Sequence, residues 1–401
     1  MARPQSPTKK ATRQYTKQHN ARLVLKTIYE AGNISRADLA RLTGLTRATV
    51  SNIVAGFLDE GIVAETGYGP SLGGKPPIML NIVENARQLI CLDLGNEQFT
   101  GALANLRGHF EKQISLPVNG RTAQTALSLV YELVEQLLRH VTAPVLGLAL
   151  GSPGLIDAEA GLVKQSVNLD WHDLPLQQLL ADRFHFPVYM ANDSDLAALA
   201  EYSFGNDDTR NLVLIKMGQG IGSGIVLNGR IFHGEGFGAG EIGHVSVVAN
   251  GELCSCGNYG CLETVASVRA MLRQAEAIAQ EKSDGLLGRL RLADTPVTWE
   301  ILRQACQQED TDARQIVTRA GELLGVAVAN LVGILNVNRI VIAGNVVQTG
   351  DLFIGAVQSS MQKRVLPRLA AGTAVQYATT QSNLVLLGAS ALILSQGLGV
   401  I

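Results

Sequence analysis

The side chains most suited to chemistry lie close together late in the chain. Three of the five cysteines follow the pattern Cys-x-Cys-x₄-Cys, and a histidine precedes them. Three thiolates and one imidazole form a donor set that Zn²⁺ takes in closed tetrahedral sites. Free thiols in a glycine-rich loop are the alternative, but such clustering is typical of metal sites. We predict a structural zinc ion, and its ligands are His244, Cys254, Cys256 and Cys261.

Two glutamates flank this cluster. Glu241 lies just before His244, and Glu263 lies just after the last cysteine. A solvated surface position is the usual fate of a glutamate, but these two bracket the proposed metal loop. If one ring nitrogen of His244 binds the metal, the other stays available to a ligand. We therefore predict that Glu241, His244 and Glu263 contact a small polar ligand.

Further polar candidates occur in the middle of the chain. Asn192 and Asp193 lie between a predicted strand and a predicted helix. Asp193 is placed to hydrogen-bond a substrate hydroxyl or to accept its proton, although capping of the helix is the alternative. Asn168, shortly before Trp171, is another candidate.

The stretch Gly218–Gly224 has the pattern G-x-G-x-G-x-G. It lies between two predicted strands, one ending at Met217 and one beginning at Ile225, so it is not the dinucleotide fingerprint of a strand and a helix. Its backbone amides could cradle a phosphate. A purely structural turn is equally compatible with the pattern.

The N-terminal region is basic and helical. Residues 1–80 carry a net charge of +6, against −8 for the remainder, and residues 1–15 are predicted to be disordered. Helical spacing over 20–31 is followed by a helix from Ser35, a Thr43–Leu45 turn and a helix over 46–60. Leu39, Ala40 and Leu42 are predicted to face inward. Two helices joined by a short glycine-containing turn indicate a helix-turn-helix.

A predicted β-hairpin over residues 62–82 completes a winged helix-turn-helix domain at 16–85. The second helix of such a motif enters the DNA major groove through its N-terminal residues. A small helical dimerisation domain is the alternative, but the basic charge favours DNA binding. The predicted DNA-contacting residues are Arg36, Thr46, Arg47, Ala48, Thr49, Ser51, Asn52 and Lys75.

The rest of the chain predicts two successive α/β units, each opening with an antiparallel meander. This pattern favours two lobes with a ligand-binding cleft between them. We predict a first lobe at 86–198 plus 384–401, which includes a C-terminal helix over 388–396. The second lobe, at 199–383, would hold the zinc loop and a dimerisation surface.

Composition indicates a cytoplasmic protein. A secretory signal is absent from the polar N-terminus, and apolar stretches such as 383–394 are shorter than the roughly 18 residues that span a bilayer. Five cysteines, three of them clustered, fit a metal site in a reducing compartment better than a disulfide framework. We expect no membrane association.

Together these motifs resemble the ROK family of sugar kinases and sugar-responsive repressors. The resemblance covers nearly the whole chain and is most specific at Glu241-x-Gly243-His244 and in the cysteine loop through Glu263. It implies a two-lobed, actin-like (ribonuclease-H-like) ATPase fold, the same zinc ligands, and Asp193 in the position of the kinase base. It also implies a sugar site formed by Asn168, Asn192, Asp193, Glu241, His244 and Glu263.

The chain departs from the kinase pattern at the phosphate sites. The kinases carry Asp-x-Gly-Gly-Thr where this chain has Asp93-Leu94-Gly95-Asn96-Glu97, and Gly344-Asn345 replaces a Gly-Gly pair. A carboxylate at Glu97 opposes phosphate binding, and phosphoryl transfer depends on neutralising phosphate charge. We predict no kinase activity. The residues of the vestigial phosphate loops are then Asp93, Gly95, Gly218, Gly220 and Gly222.

The sequence thus predicts a sugar-responsive transcriptional repressor of carbohydrate-utilisation genes, similar to the xylose- or N-acetylglucosamine-responsive repressors. Its expected partners are operator DNA, a sugar and further copies of itself, as a dimer or tetramer. A kinase with a fused DNA-binding head is one alternative. A DNA-binding protein whose body only dimerises is another.

Overall fold

The computed structural model describes residues 13–70, 76–205, 209–291, 295–380 and 382–401. Three helices and a three-stranded sheet of order β1-β3-β2 form its N-terminal head. The helices of the head are α1 (Arg13–Ala31), α2 (Arg36–Thr43) and α3 (Arg47–Asp59), and its strands are β1 (Ile34–Ser35), β2 (Val63–Tyr68) and β3 (Ile78–Ile82).

The helix-turn-helix is set by its capping residues. The Ser35 hydroxyl accepts the Asp38 N–H at the start of α2, and the Thr46 hydroxyl accepts the Thr49 N–H at the start of α3. Each bond satisfies an amide that has no partner within its helix. Gly44 ends α2 with a φ of 69°, a left-handed conformation that favours glycine.

Two predictions for the head were wrong, and one short strand was not predicted. Residues 13–15 are helical because α1 begins at Arg13, whereas residues 1–12 lie outside the described part. The two-residue strand β1 is too short to leave a sequence pattern. Leu42 is 58% exposed, unlike the buried Leu39, because α2 ends one residue later and its last turn projects beyond the core.

The body contains two five-stranded sheets with the same topology. In each, three antiparallel strands form a meander, and two further strands add in parallel beside the first. The orders are β11-β7-β4-β5-β6 and β14-β13-β12-β15-β16. The predicted pair of α/β units, each opening with a meander, is therefore confirmed.

The first sheet consists of β4 (Gln88–Leu94), β5 (Gln98–Ala104), β6 (Phe110–Pro117), β7 (Val145–Ser152) and β11 (Val188–Asn192). The second consists of β12 (Leu212–Met217), β13 (Ile221–Leu227), β14 (Arg230–Ile231), β15 (Arg339–Gly344) and β16 (Ala374–Tyr377). A small sheet absent from the prediction consists of β8 (Leu155–Asp157), β9 (Leu162–Ser166) and β10 (Trp171–Leu174).

Helices cover both sheets. Those associated with the first sheet are α4 (Ala123–Leu138), α5 (Leu176–Phe184), α6 (Asp193–Phe204) and α14 (Leu384–Ile393). Those of the second lobe are α7 (Leu262–Ala266), α8 (Val268–Glu281), α9 (Leu286–Leu290), α10 (Trp299–Gln307), α11 (Thr311–Leu335), α12 (Asp351–Gln362) and α13 (Pro367–Gly372). By length and composition α11 could cross a membrane, but it lies mostly buried in the core of its lobe.

Helix α6 joins the two lobes, and α14 packs against it. α6 packs against β7 and β11 of the first sheet and against β12 and β13 of the second. The predicted lobe boundary at residue 198 falls within this helix. α14 approaches α6 at backbone distance, because a Cβ added to Gly388 would lie 1.9 Å from the Leu196 carbonyl oxygen.

The head and the first lobe share one apolar core. Buried Val24 and Ile28 of α1 belong to the same cluster as Leu89 of β4, Leu386 of α14 and Val400 near the C-terminus. Burial of this continuous apolar surface makes separation of the two parts unfavourable. The head is therefore fixed to the lobe.

Arg107, in the turn after β5, adds polar contacts to this junction. Its guanidinium lies 4.4 Å from the centre of the Tyr29 ring and donates to the Tyr29 carbonyl oxygen at 2.7 Å. It also donates to Asn81 Oδ1 at 3.3 Å and lies 3.6 Å from Glu84 Oε1. One side chain thus contacts three residues of the head.

We expect Arg107→Met to weaken the junction by about 1–3 kcal/mol, because it removes charged hydrogen bonds and a cation–π contact. Hydrogen exchange of the α1 amides, together with urea unfolding, measures this. Arg139→Met, at an exposed arginine after α4, is the control and should change stability by less than about 0.5 kcal/mol. Equal effects of the two substitutions would contradict the assignment.

Candidate functional site

The four predicted metal ligands come together. Their ligand atoms all lie within 4.8 Å of one another. The Sγ atoms of Cys256 and Cys261 are 3.7 Å apart, and Cys254 Sγ lies 3.6 Å from His244 Nδ1. A tetrahedral site with Zn–S bonds of about 2.3 Å places its sulfurs about 3.8 Å apart. The donor set and its spacing therefore fit a metal ion.

Tight backbone turns hold the cysteine loop. The Cys254 N–H donates to the Asn258 carbonyl at 2.8 Å, and the Gly257 N–H donates back to Cys254 at 2.9 Å. Gly260 has a φ of 73°, and an added Cβ would lie 1.9 Å from the Val248 carbonyl oxygen. Only glycine fits there, so this residue brings Cys261 back towards His244.

Glu241 and the second nitrogen of His244 face each other. His244 Nε2 lies 3.9 Å from Glu241 Oε2, while Nδ1 faces the cysteines. Burial raises the pKa of Glu241, and His244 opposes this effect. The ring thus presents one nitrogen to the cysteines and the other to Glu241, and contact of His244 and Glu241 with a ligand stays a prediction.

Glu263 contacts the glycine-rich turn. Its Oε2 accepts the Ile221 N–H at 3.0 Å, and its Oε1 lies 3.4 Å from Arg269. A Cβ added to Gly220 would lie 2.4 Å from the same carboxylate.

The predicted start of the next strand at Ile225 was wrong, because β13 begins at Ile221. Only Gly218–Gly220 forms the turn, and Gly222 lies within the strand.

Asp193, the first residue of α6, is paired with a lysine that was not among the predicted site residues. Lys216 Nζ on β12 lies 2.6 Å from Asp193 Oδ2. Burial alone would raise the pKa of Asp193, but Lys216 and Ser194 outweigh it, so the pKa is lowered. The pKa of Lys216 is raised, because the nearby carboxylates outweigh its burial. Both groups are therefore charged near neutral pH.

Asp93, at the end of β4, faces the same pair. Its Oδ1 is buried and accepts no hydrogen bond within the described part of the chain. Burial raises its pKa to about 6, with Lys216 opposing the shift and Asp193 adding to it. A buried acceptor without a partner is rare. It marks this position as one that a ligand can complete.

The two predicted asparagines have different positions. The Asn192 Oδ1 accepts the Ser194 N–H and its Nδ2 donates to the Gly154 carbonyl, so it caps α6 and braces a neighbouring turn. Asn168 lies on an exposed turn between β9 and β10. The described contacts do not connect Asn168 to Glu241, His244 or Glu263.

A second pair joins a buried carboxylate to a half-buried histidine. Asp195 is 6% exposed, and its Oδ2 lies 3.1 Å from Nδ1 of His233 in the loop after β14. Burial raises the pKa of Asp195, and the carboxylate raises the pKa of His233.

The sequence signal for Lys216 was a charge within an apolar strand. No local pattern indicated His233.

In the head, the N-terminal face of α3 is open. Thr46, Arg47, Ala48, Ser51 and Asn52 are exposed, and Thr49 is half-buried with its hydroxyl 2.8 Å from that of Thr46. Arg36 forms a 2.8 Å ion pair with Glu65 of the wing, and Lys75 lies outside the described residues.

Comparison with known proteins identifies both parts of the chain. The model of the ROK family matches residues 89–396, and that of a winged helix-turn-helix DNA-binding domain matches residues 18–64. The chain belongs to the ROK family. The predicted family and fold are therefore confirmed.

Curated ROK relatives include repressors of similar length. The xylose repressor of Caldicellulosiruptor bescii is 31% identical over 94% of this chain and 96% of its own. The DNA-binding transcriptional dual regulator NagC of Escherichia coli is 28% identical over 87% and 86%. These relatives favour the predicted regulator over a kinase with a fused head.

A solved structure agrees. A ROK family transcriptional regulator, homologous to the Escherichia coli MLC protein, superimposes with a TM-score of 0.85 at 28% identity, over 96% of this chain and 98% of its own. The likeness thus includes the head as well as the two lobes.

Asp93→Asn should stabilise the protein at alkaline pH. The folded-state pKa of about 6 exceeds the ordinary value of 3.8, so the stability contributed by Asp93 is lost as pH rises through about 6. We expect the variant to gain about 1–3 kcal/mol at about pH 8, with the gain vanishing near pH 4. Urea unfolding at both pH values tests this.

Asp284→Asn, in the exposed turn between α8 and α9, is the matched control and should change the free energy of unfolding by less than about 0.5 kcal/mol. If Asp93→Asn lost stability at the higher pH, the carboxylate would be making favourable contacts that the geometry does not show.

Proposed function

We propose that this protein is a cytoplasmic transcriptional repressor of carbohydrate-utilisation genes whose operator affinity is controlled by a sugar in the cleft. The observation that carries the proposal is the pairing of an exposed α3 N-terminus with an intact cluster of Glu241, His244 and Glu263 in one chain. The repressor names of full-length relatives support it. Xylose and N-acetylglucosamine are the first sugars to test.

The sugar acts by changing the orientation and spacing of the DNA-binding heads. Each head is joined to its first lobe by a shared core, so closure of the cleft reorients it. In a homodimer or tetramer, half-sites about one helical turn apart fix the required spacing of the heads. A ligand shifts this equilibrium only if it binds the two conformations unequally. Binding between the lobes meets that condition.

We propose that the cleft no longer transfers phosphate. Glu97 lies in the loop after β4, and its Oε1 accepts from Gln219 Nε2 of the glycine-rich turn at 3.4 Å. This contact puts a carboxylate between the two segments that correspond to phosphate loops, where it repels ATP phosphates. Retention of Asp193 favours the kinase alternative. ATP-dependent phosphorylation at roughly 1 s⁻¹ or faster would establish that alternative.

Arg47→Ala should weaken specific operator binding about tenfold or more. An arginine at the groove-facing start of α3 contributes about 1–3 kcal/mol, or about tenfold or more in affinity. DNA sites selected from random duplexes with the unmodified protein provide the probe, and fluorescence anisotropy provides the affinity. Arg139→Ala, an exposed charge on the body, should bind like the unmodified protein. Unchanged binding by Arg47→Ala would exclude α3 as the recognition helix.

We propose that the metal at the His–Cys₃ cluster is zinc and that it is structural, because four protein ligands leave no open position. The purified protein should contain about one zinc ion per chain, and Cys254→Ser should lower this content by a large factor. Metal analysis by mass spectrometry measures both. Cys306→Ser, a buried cysteine outside the cluster, should retain full metal content.

Loss of zinc should also weaken the sugar response, because His244 and Glu263 lose their support, while the head remains able to bind DNA. A zinc-free, folded protein that responds normally to sugar would contradict this role for the cluster.

A further inference from the structure

Lys216 is an unusual residue for its position. It lies on β12, a central strand whose neighbouring residues Ile215 and Met217 are fully buried. Its side chain points to the opposite face, where it is 36% exposed and meets Asp193. A lysine at such a site requires a compensating partner. Here that partner comes from the first residue of α6.

The polar groups around Lys216 are incompletely satisfied. Asp193 is its only hydrogen-bond partner among the described residues, whereas an ammonium group has three N–H donors. The Oδ1 of Asp93 is a buried acceptor that no described group satisfies. Asp93 lies close enough to Lys216 for the two charges to shift each other's pKa, so spare donors and a spare acceptor belong to one group of charges. A hydroxyl group, which donates one hydrogen bond and accepts others, complements this arrangement.

The surrounding charge bears on which ligand fits. Lys216 is a single cation facing two carboxylates, Asp93 and Asp193, and Glu97 and Glu263 lie at the adjoining loops. The ammonium is thus already neutralised, and an added phosphate would meet a net negative field. A neutral hydroxyl incurs no such repulsion.

We propose that Lys216 is a ligand-contacting residue that, with Asp93 and Asp193, recognises one free hydroxyl of the sugar and so selects the unphosphorylated sugar over its phosphate ester. The inference rests on the proposed function, because it assigns a role within the sugar cleft. It adds a specificity residue on the second lobe to the carboxylates contributed by β4 and α6.

The test compares calorimetric binding of D-xylose, D-glucose and N-acetyl-D-glucosamine with that of their phosphate esters. The unmodified protein should bind at least one free sugar about tenfold or more tightly than its ester, and Lys216→Met should lose about tenfold or more in affinity for that sugar. Lys216→Arg, which keeps the charge and the donors, should recover part of the loss. Lys164→Met, at an exposed lysine on β9, should bind normally.

Deoxy analogues separate recognition from a purely structural role. The unmodified protein should bind one monodeoxy analogue much more weakly than the parent sugar. In Lys216→Met, the ratio of these two affinities should fall towards one. An equal fall in the corresponding ratio for every analogue would overturn the proposal. Melting curves verify that each variant is folded, and Lys216→Arg keeps the test decisive if Lys216→Met does not fold.

Two other outcomes would also overturn it. Tighter binding of an ester than of its free sugar, lost in Lys216→Met, would show that Lys216 recognises phosphate. Unchanged sugar affinity in folded Lys216→Met would show that this lysine serves only as a counter-ion to the carboxylates. Failure of the unmodified protein to bind any of these sugars or esters is distinguishable from both, because it removes the proposed function itself.

Discussion

The close packing of α14 on α6 is the constraint on which the rest of the architecture depends. At Gly388 the two backbones approach so closely that a single added carbon would overlap the Leu196 carbonyl. α6 starts at the cleft with Asp193 and touches both sheets, while α14 carries Leu386 into the core shared with the head. Because protein interiors are close-packed, a shift of α6 must displace α14 or separate these helices. The cleft and the head are thus mechanically connected.

The sequence predicted the features that rest on local chemistry. The helix starts near Ser35 and Thr46, the cysteine spacing and the two α/β units each have a short-range pattern. Two-residue strands such as β1 and β14 form only because a longer strand is already in place, so their residues carry little signal. The sheet over 155–174 depends in the same way on tertiary context. Helix ends, such as that of α2 beyond Leu42, depend on how far the core extends.

The residues of the site likewise divide into those that local chemistry made predictable and those that depend on tertiary structure. His244 and the cysteines were predictable because a metal dictates ligand type and spacing. Asp193 and Lys216 are far apart in sequence, and their 2.6 Å contact depends on how the second sheet is placed against α6. Asn192 shows the converse, since its capping role in the structure is the ordinary use of an asparagine before a helix. Resemblance to a sugar site does not by itself distinguish an asparagine that caps a helix from one that contacts a ligand.

The two halves of the site use charge in opposite ways. Around the cysteines, bound metal would offset thiolate charge and leave a rigid support for His244. Around Lys216, one cation faces two carboxylates and the buried Asp93 keeps a raised pKa. Uncompensated carboxylates cost stability unless a ligand supplies donors, and a sugar offers hydroxyl donors without adding charge. A cleft that retains this cost in its ligand-free form gains free energy on binding, and that gain drives a switch only if the two conformations bind the ligand unequally.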